Sequence, residues 1–186
     1  MGKTGITIKS SLLIIGAGSF STEVDELARL LGYTDIAFLD DKSPVAIGTM
    51  QDIGKMRERY DTAIVALGNN ENRKRFHEEL VRHDFNIPTL IHPTAFVSPD
   101  AELAPGCIVR THAVVSRYAK LGEGVIVNIG SLIDHHCEIG AFSMILPGAV
   151  VRNSVKVEPG SWIRANEVVE KKSSWLNSFG FMSRLL

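Results

Sequence analysis

A chain of 186 residues with 45% hydrophobic and 22% charged residues has ordinary globular composition, long enough for one large domain or two small ones. A formal charge of −1, with both signs mixed along the chain, offers no basic stripe for nucleic acid and no polybasic segment for a lipid surface. No apolar run reaches the roughly 18 residues of a membrane span, the start reads as a strand entering a glycine turn rather than a leader, and two cysteines imply no disulfide framework. A cytoplasmic protein that binds small molecules or copies of itself is expected.

In chain order, residues 11–16 form an apolar run ending in Gly16-Ala17-Gly18, and residues 20–31 carry helical spacing through Val24, Leu27, Ala28 and Leu31. A second strand, Ile36 to Leu39, ends in Asp40-Asp41. A third, Ala63 to Leu67, runs into Gly68-Asn69-Asn70. A polar helix follows from Glu71 to about His83, with His77 and His83 read as surface residues, and then a short strand, Thr89 to Ile91. Alternating strands and helices predict a small parallel α/β domain of Rossmann type over residues 1–90, with ligands beyond the carboxyl ends of the strands, where the glycine and aspartate turns lie. Gly16-x-Gly18-x-x-Ser21 lacks the third glycine of a dinucleotide fingerprint, and Asp40 either contacts a ribose or simply ends its strand.

From Ile91 an aliphatic residue recurs at every sixth position through Val97, Leu103, Val109, Val115, Leu121, Val127, Ile133, Ile139, Ile145, Val151, Val157 and Ile163 to Val169. Four residues after each comes a small residue, from Ala95 through Cys107, Ala113 and Cys137 to Ser161, and the pattern breaks only at Glu167. This predicts a parallel β-helix over residues 91–171: each hexad is a strand and a corner, the aliphatic residue fills the interior, and the small one fits the crowded corner. The apolar tail, residues 172–186, has the composition to cap the open end of the solenoid or to pack on a partner.

One corner, Asp134-His135-His136-Cys137, concentrates chemistry. Cys107 and Cys137 occupy the inward position of their hexads, where cysteine acts as a compact apolar residue rather than a nucleophile. A zinc reading is not favoured, because no second histidine follows at ligand spacing; Gly140 and Ala141 stand there. His135, two residues past the interior Ile133, leaves the column and is either a solvated corner residue or a proton acceptor, since an imidazole is largely neutral at pH 7.

A glycine turn, a strand ending Phe38-Leu39-Asp40-Asp41, Gly68-Asn69-Asn70 followed by Glu71-Asn72-Arg73-Lys74-Arg75, then Leu90-Ile91-His92-Pro93 and hexads together resemble the PglD/NeuD family of sugar acetyltransferases over roughly residues 11–169. The resemblance implies a left-handed helix with three hexads per coil, a homotrimer, and acetyl-CoA as co-substrate without a metal. It implies transfer to the amino group of a UDP-linked amino sugar. The alternatives are the hydroxyl of a sialic-acid-type sugar, or a non-catalytic nucleotide-sugar-binding trimer with a degenerate donor site. Carried over residue by residue, it puts the nucleotide sugar at Gly16, Gly18, Asp40, Asp41, Gly68 and Asn69. Asn128 either lines the same cleft or is a buried turn asparagine. His135 becomes the catalytic base, with Asp134 and His136 beside it, and Gly148 and Asn153 meet CoA. The chain departs from the family in having Ser19-Phe20 in the first turn, His136 where an acidic residue is usual, Met144 where some members have a histidine, and fewer coils at the end.

Overall fold

The computed structural model describes residues 9–171; the apolar tail, residues 172–186, lies outside them. The N-terminal part comprises β1 (Lys9–Ile15), α1 (Ser19–Leu30), β2 (Tyr33–Leu39), the single-turn α2 (Ile53–Met56), β3 (Ala63–Val65) and α3 (Asn70–Arg82). β1 is the central strand of a parallel sheet ordered β2-β1-β3. Both its faces are covered, which explains a continuous apolar run instead of alternation. Leu12 and Ile14 pack with Val24, Leu27 and Ala28 of α1, while Leu13 and Ile15 pack with Ile53, Phe76 and Leu80.

From Leu90 the chain winds as a parallel β-helix of two-residue strands, β4 (Leu90–Ile91) to β17 (Val168–Val169). Strands pair one coil apart, as in Ile126↔Met144 and Val127↔Ile145, so three hexads close one turn. Three flat sheets result. From Gly106 onward each corner places a residue in the left-handed region: Gly106, His112, Tyr118, Gly124, Gly130, His136, Phe142, Gly148, Ser154, Gly160 and Asn166 recur at the same place in successive hexads. A non-glycine residue there costs roughly 1 kcal/mol, offset by burial of the interior column, where Val109, Val127, Ile133 and Ile145 are fully enclosed.

The three outer faces differ. On face one, Leu90, Ile108, Ile126 and Met144 point outward and are buried beneath α1 and the sheet of the N-terminal domain. Face three carries a charged ladder, Glu102, Lys120, Glu138 and Lys156, with ion pairs Lys120–Glu102 at 3.1 Å and Lys156–Glu138 at 2.7 Å. Face two presents Phe96, Val114, Leu132, Val150 and Val168. Phe96 is 59% exposed and Val168 56%.

Helix α3 locks the two parts together. Arg73, 1% exposed, donates to the carbonyls of Gly124 (2.9 Å), Phe142 (2.6 Å) and Leu67 (2.9 Å) and to Asn70 Oδ1 (2.8 Å). Burial lowers its pKa to about 10, which leaves the guanidinium charged at neutral pH. His77, expected at the surface, is instead buried: its ring packs edge-on against Phe142 at 5.3 Å and against Gly106, where a Cβ would come within 2.9 Å. The solenoid covers the face of α3 that would otherwise meet water. Asn70 Nδ2 donates to the carbonyls of Gly160 (2.9 Å) and Ser161 (3.1 Å), so the N-terminus of α3 lies at the last coil. No helix among the described residues is long and apolar enough to cross a membrane.

Candidate active site

The carboxyl ends of the three N-terminal strands open toward the late coils of the solenoid. Gly16 (φ +107°) is required there, because a Cβ would come within 2.8 Å of Leu67. Gly18 and Gly68 have nothing within 4 Å of a built Cβ, so the space above both turns is open. Asn69 caps α3, its Oδ1 accepting from the Asn72 N–H at 2.8 Å. Asp40 ties the turns to each other: Oδ2 accepts from the Ala17 N–H (3.0 Å) and Oδ1 from the N–H groups of Lys42 (2.8 Å) and Ser43 (2.9 Å). These backbone donors, Lys42 first, hold its carboxyl below the usual range. Asp41 Oδ1 accepts from the Met50 N–H at 2.9 Å. Both aspartates therefore shape the strand-end turns through the backbone, with part of their acceptor capacity already used.

Face one ends in Trp162, paired in register with Met144 and 51% exposed. The Asn70 bonds to Gly160 and Ser161 place it beside the start of α3. Trp162 is an outward residue of its hexad and so is not marked by the interior six-residue period.

The second cluster lies at the corner between faces two and three. His135 and His136 are exposed, and their Nδ1 atoms are 2.9 Å apart with the rings at 88°. The His136 N–H donates to the Arg117 carbonyl (3.1 Å), and the His135 carbonyl accepts from the Ser154 N–H (2.9 Å), so the coils below and above fix both backbones. Asp134 Oδ1 accepts from the His135 backbone N–H at 2.7 Å. Tyr118, one coil below, lies 5.0 Å from His136 between ring centroids, and the Arg117 guanidinium sits 4.7 Å over Tyr118 and bonds Asp100 at 2.7 Å. Cys137 is buried, its thiol pushed up by desolvation, and Cys107 is pushed up to about 12 by burial. Neither is a thiolate at neutral pH.

Asn153 is exposed one coil above His135. Gly148 and Asn128 occupy a different corner, between faces one and two. A Cβ on Gly148 would come within 2.3 Å of Asn166 Oδ1, and its N–H donates to the Ile129 carbonyl, so packing accounts for the glycine. Asn128 is buried, with Oδ1 accepting from Arg110 Nη1 (2.6 Å) and from the Ile129 N–H (2.9 Å), which favours the turn-asparagine reading. A shallow groove of about 780 Å³ runs along face three toward the corner between faces three and one, lined by Lys120, Gly122, Glu138, Gly140 and Pro159, and includes none of the histidine corner's residues. In a three-faced prism the corner between faces two and three is opposite face one. A single chain therefore keeps His135 apart from the cleft of the N-terminal domain.

Residues 11–80 match the family described as the PglD N-terminal domain. The acetyltransferase domain of PglB from Neisseria gonorrhoeae FA1090 is 34% identical, covering 86% of this chain and 91% of that one, with a TM-score of 0.79. The same domain in complex with acetyl coenzyme A is matched at 35% identity over 85% and 83% of the two chains, with a TM-score of 0.73. PerB from Caulobacter crescentus in complex with CoA and GDP-perosamine is 26% identical over 87% and 89%, with a TM-score of 0.73. With an α/β turn region, a hexad solenoid and a histidine corner in one arrangement, and this identity over most of both chains, the protein belongs to the PglD/NeuD-like family of acetyl-CoA-dependent sugar acetyltransferases.

Proposed function

We propose that this chain transfers the acetyl group of acetyl-CoA to the amino group of a UDP-linked amino sugar, with His135 as the general base. The observation that carries the reading is the exposed His135 at a corner of the matched solenoid, in a relative of a domain seen with acetyl coenzyme A. PerB, seen with CoA and GDP-perosamine, supports a nucleotide sugar as acceptor; UDP is the choice that the family resemblance makes. The sugar nucleotide lies above Gly18 and Gly68, where the space is open, with Trp162 as an apolar wall. CoA follows the column from His135 to Asn153.

His135 Nε2 takes the proton of the attacking amine as the N–C bond forms at the thioester carbonyl carbon. The tetrahedral oxyanion collapses, the C–S bond breaks, and the proton passes to the CoA sulfur, so that the step yields an amide and a thiol without any other reactant.

Because the cleft and His135 lie on opposite sides of one solenoid, the reading requires a second copy to bring them together. Face two, apolar and open, is suited to burial against other copies of the chain, and we propose the homotrimer, a closed ring of heterologous contacts. Calorimetry with acetyl-CoA, UDP and GDP, followed by transfer assays on nucleotide amino sugars, tests the reading. The expected result is binding of acetyl-CoA and of UDP in preference to GDP. The variant His135→Ala should lose transfer by a factor of about 100 or more with its thermal midpoint unchanged. Retained turnover in that variant removes His135 from the mechanism.

A further inference from the structure

We infer that His136 is the positioning residue for the base: it accepts a hydrogen bond from Nδ1–H of His135 and so fixes the tautomer that leaves His135 Nε2 unprotonated and facing outward. The inference rests on the reading of His135 as the base and deepens it. Two Nδ1 atoms at 2.9 Å can share only one proton, so one ring donates and the other accepts. Of the two arrangements, only the one with the proton on His135 Nδ1 provides a lone pair at Nε2. Asp134, the carboxylate nearest in sequence, is held by the backbone N–H of His135. His136 is in turn fixed by its left-handed backbone (φ +58°), by its N–H bond to the Arg117 carbonyl and by the tilted ring of Tyr118. Tyr118 belongs to the same device, because the Arg117 guanidinium over its ring and the Arg117–Asp100 pair hold it against His136.

A neutral imidazole in this role differs from a carboxylate in two ways. It does not stabilise the imidazolium that forms during transfer by a full charge, and it can itself take up a proton. The first added proton occupies His135 Nε2. A second puts N–H groups on both Nδ1 atoms and breaks the contact. The charged and titratable groups around the pair are Asp134 on its own coil, Asp100, Arg117 and Tyr118 below, and Arg152 above. The acid limb of kcat/KM should therefore steepen from one proton toward two as pH falls.

The experiment is the pH profile of acetyl transfer by the intact protein and by His136→Ala, His136→Glu and Tyr118→Ala, with kcat and both KM values measured separately. His136→Ala should lower kcat about 10- to 100-fold, leave KM for acetyl-CoA and acceptor unchanged, and show a one-proton acid limb. His136→Glu should restore kcat and move the acid limb upward by about one pH unit, because an anion stabilises the protonated base. Tyr118→Ala should lower kcat in the same direction by less. A His136→Ala enzyme with the parent's kcat and two-proton limb overturns the inference while His135→Ala still tests the base. Loss of activity in both His136→Ala and His136→Glu, with unchanged thermal midpoints, also overturns it, since an acceptor at this position should rescue.

Discussion

His77 is enclosed by Phe142, Gly106 and the rest of α3, and its Nε2 finds no hydrogen-bond partner; the nearest carboxylate oxygen, on Glu123, is 4.0 Å away. Burial holds its ring below the ordinary histidine range, outweighing the pull of Glu123 and Glu78. The unfolded chain binds a proton at about pH 6.5, whereas the folded chain resists it until lower pH. Stability is thus fully present above that value and is lost as pH falls through the window below it, at about 1.4 kcal/mol for each unit of depression. A thermal melt series from pH 7.5 to pH 5 should show a midpoint that declines in the parent protein and declines less in His77→Phe. Equal declines would assign the acid sensitivity to other groups. The burial of His77 was readable only in part. Asn70, Arg73, His77 and Leu80 follow helical spacing and form one stripe, but three of the four are polar, and a polar stripe on a helix ordinarily faces water. What reverses the inference is the supply of main-chain carbonyls at solenoid corners, which satisfies Arg73 without any carboxylate.

At the scale of elements, the solenoid has two periods. The six-residue period of interior aliphatics predicted the coils and placed His135 at a corner. The eighteen-residue period of the outward residues distinguishes the faces: Leu90, Ile108, Ile126 and Met144 against Glu102, Lys120, Glu138 and Lys156. That second period is equally present in the sequence, but interpreting it needs the number of hexads per coil, which came from family resemblance and not from spacing. Face one meets the N-terminal domain and face three meets solvent with paired charges. Face two is left with apolar side chains at the surface and, under the proposed assembly, is covered by other copies. Placing a carboxylate in its centre with Leu132→Glu should separate the assembly into monomers, seen as a drop in mass by light scattering, with the far-ultraviolet circular dichroism retained. Glu138→Gln on face three should leave the mass unchanged. If Leu132→Glu keeps the parent's mass, face two is not the interface.

At the scale of the molecule, the sequence contains both halves of the site but not their relation. Hexad counting cannot say on which face the N-terminal domain docks, because the contacts of α1 and α3 with the solenoid join residues far apart in the chain, such as Glu23 with Arg110 and Asn70 with Gly160. Under the proposed trimer, docking on face one makes the cleft of one copy and the histidine corner of another a single catalytic unit, and a mixing experiment can examine this directly. His135→Ala keeps the cleft and lacks the base. Gly18→Phe keeps the base and fills the cleft, at a position whose extended backbone (φ −86°) and open surroundings accept a side chain without strain. Each variant alone should be inactive. Refolded together in equal amounts, they should form mixed trimers in which a His135→Ala cleft faces the intact histidine of a Gly18→Phe neighbour, recovering about a quarter of the parent's sites by random assembly in a closed ring. Activity no greater than the sum of the two separate preparations would mean that cleft and base cooperate within one chain, and the proposed trimeric site would be wrong even if His135 remains the base.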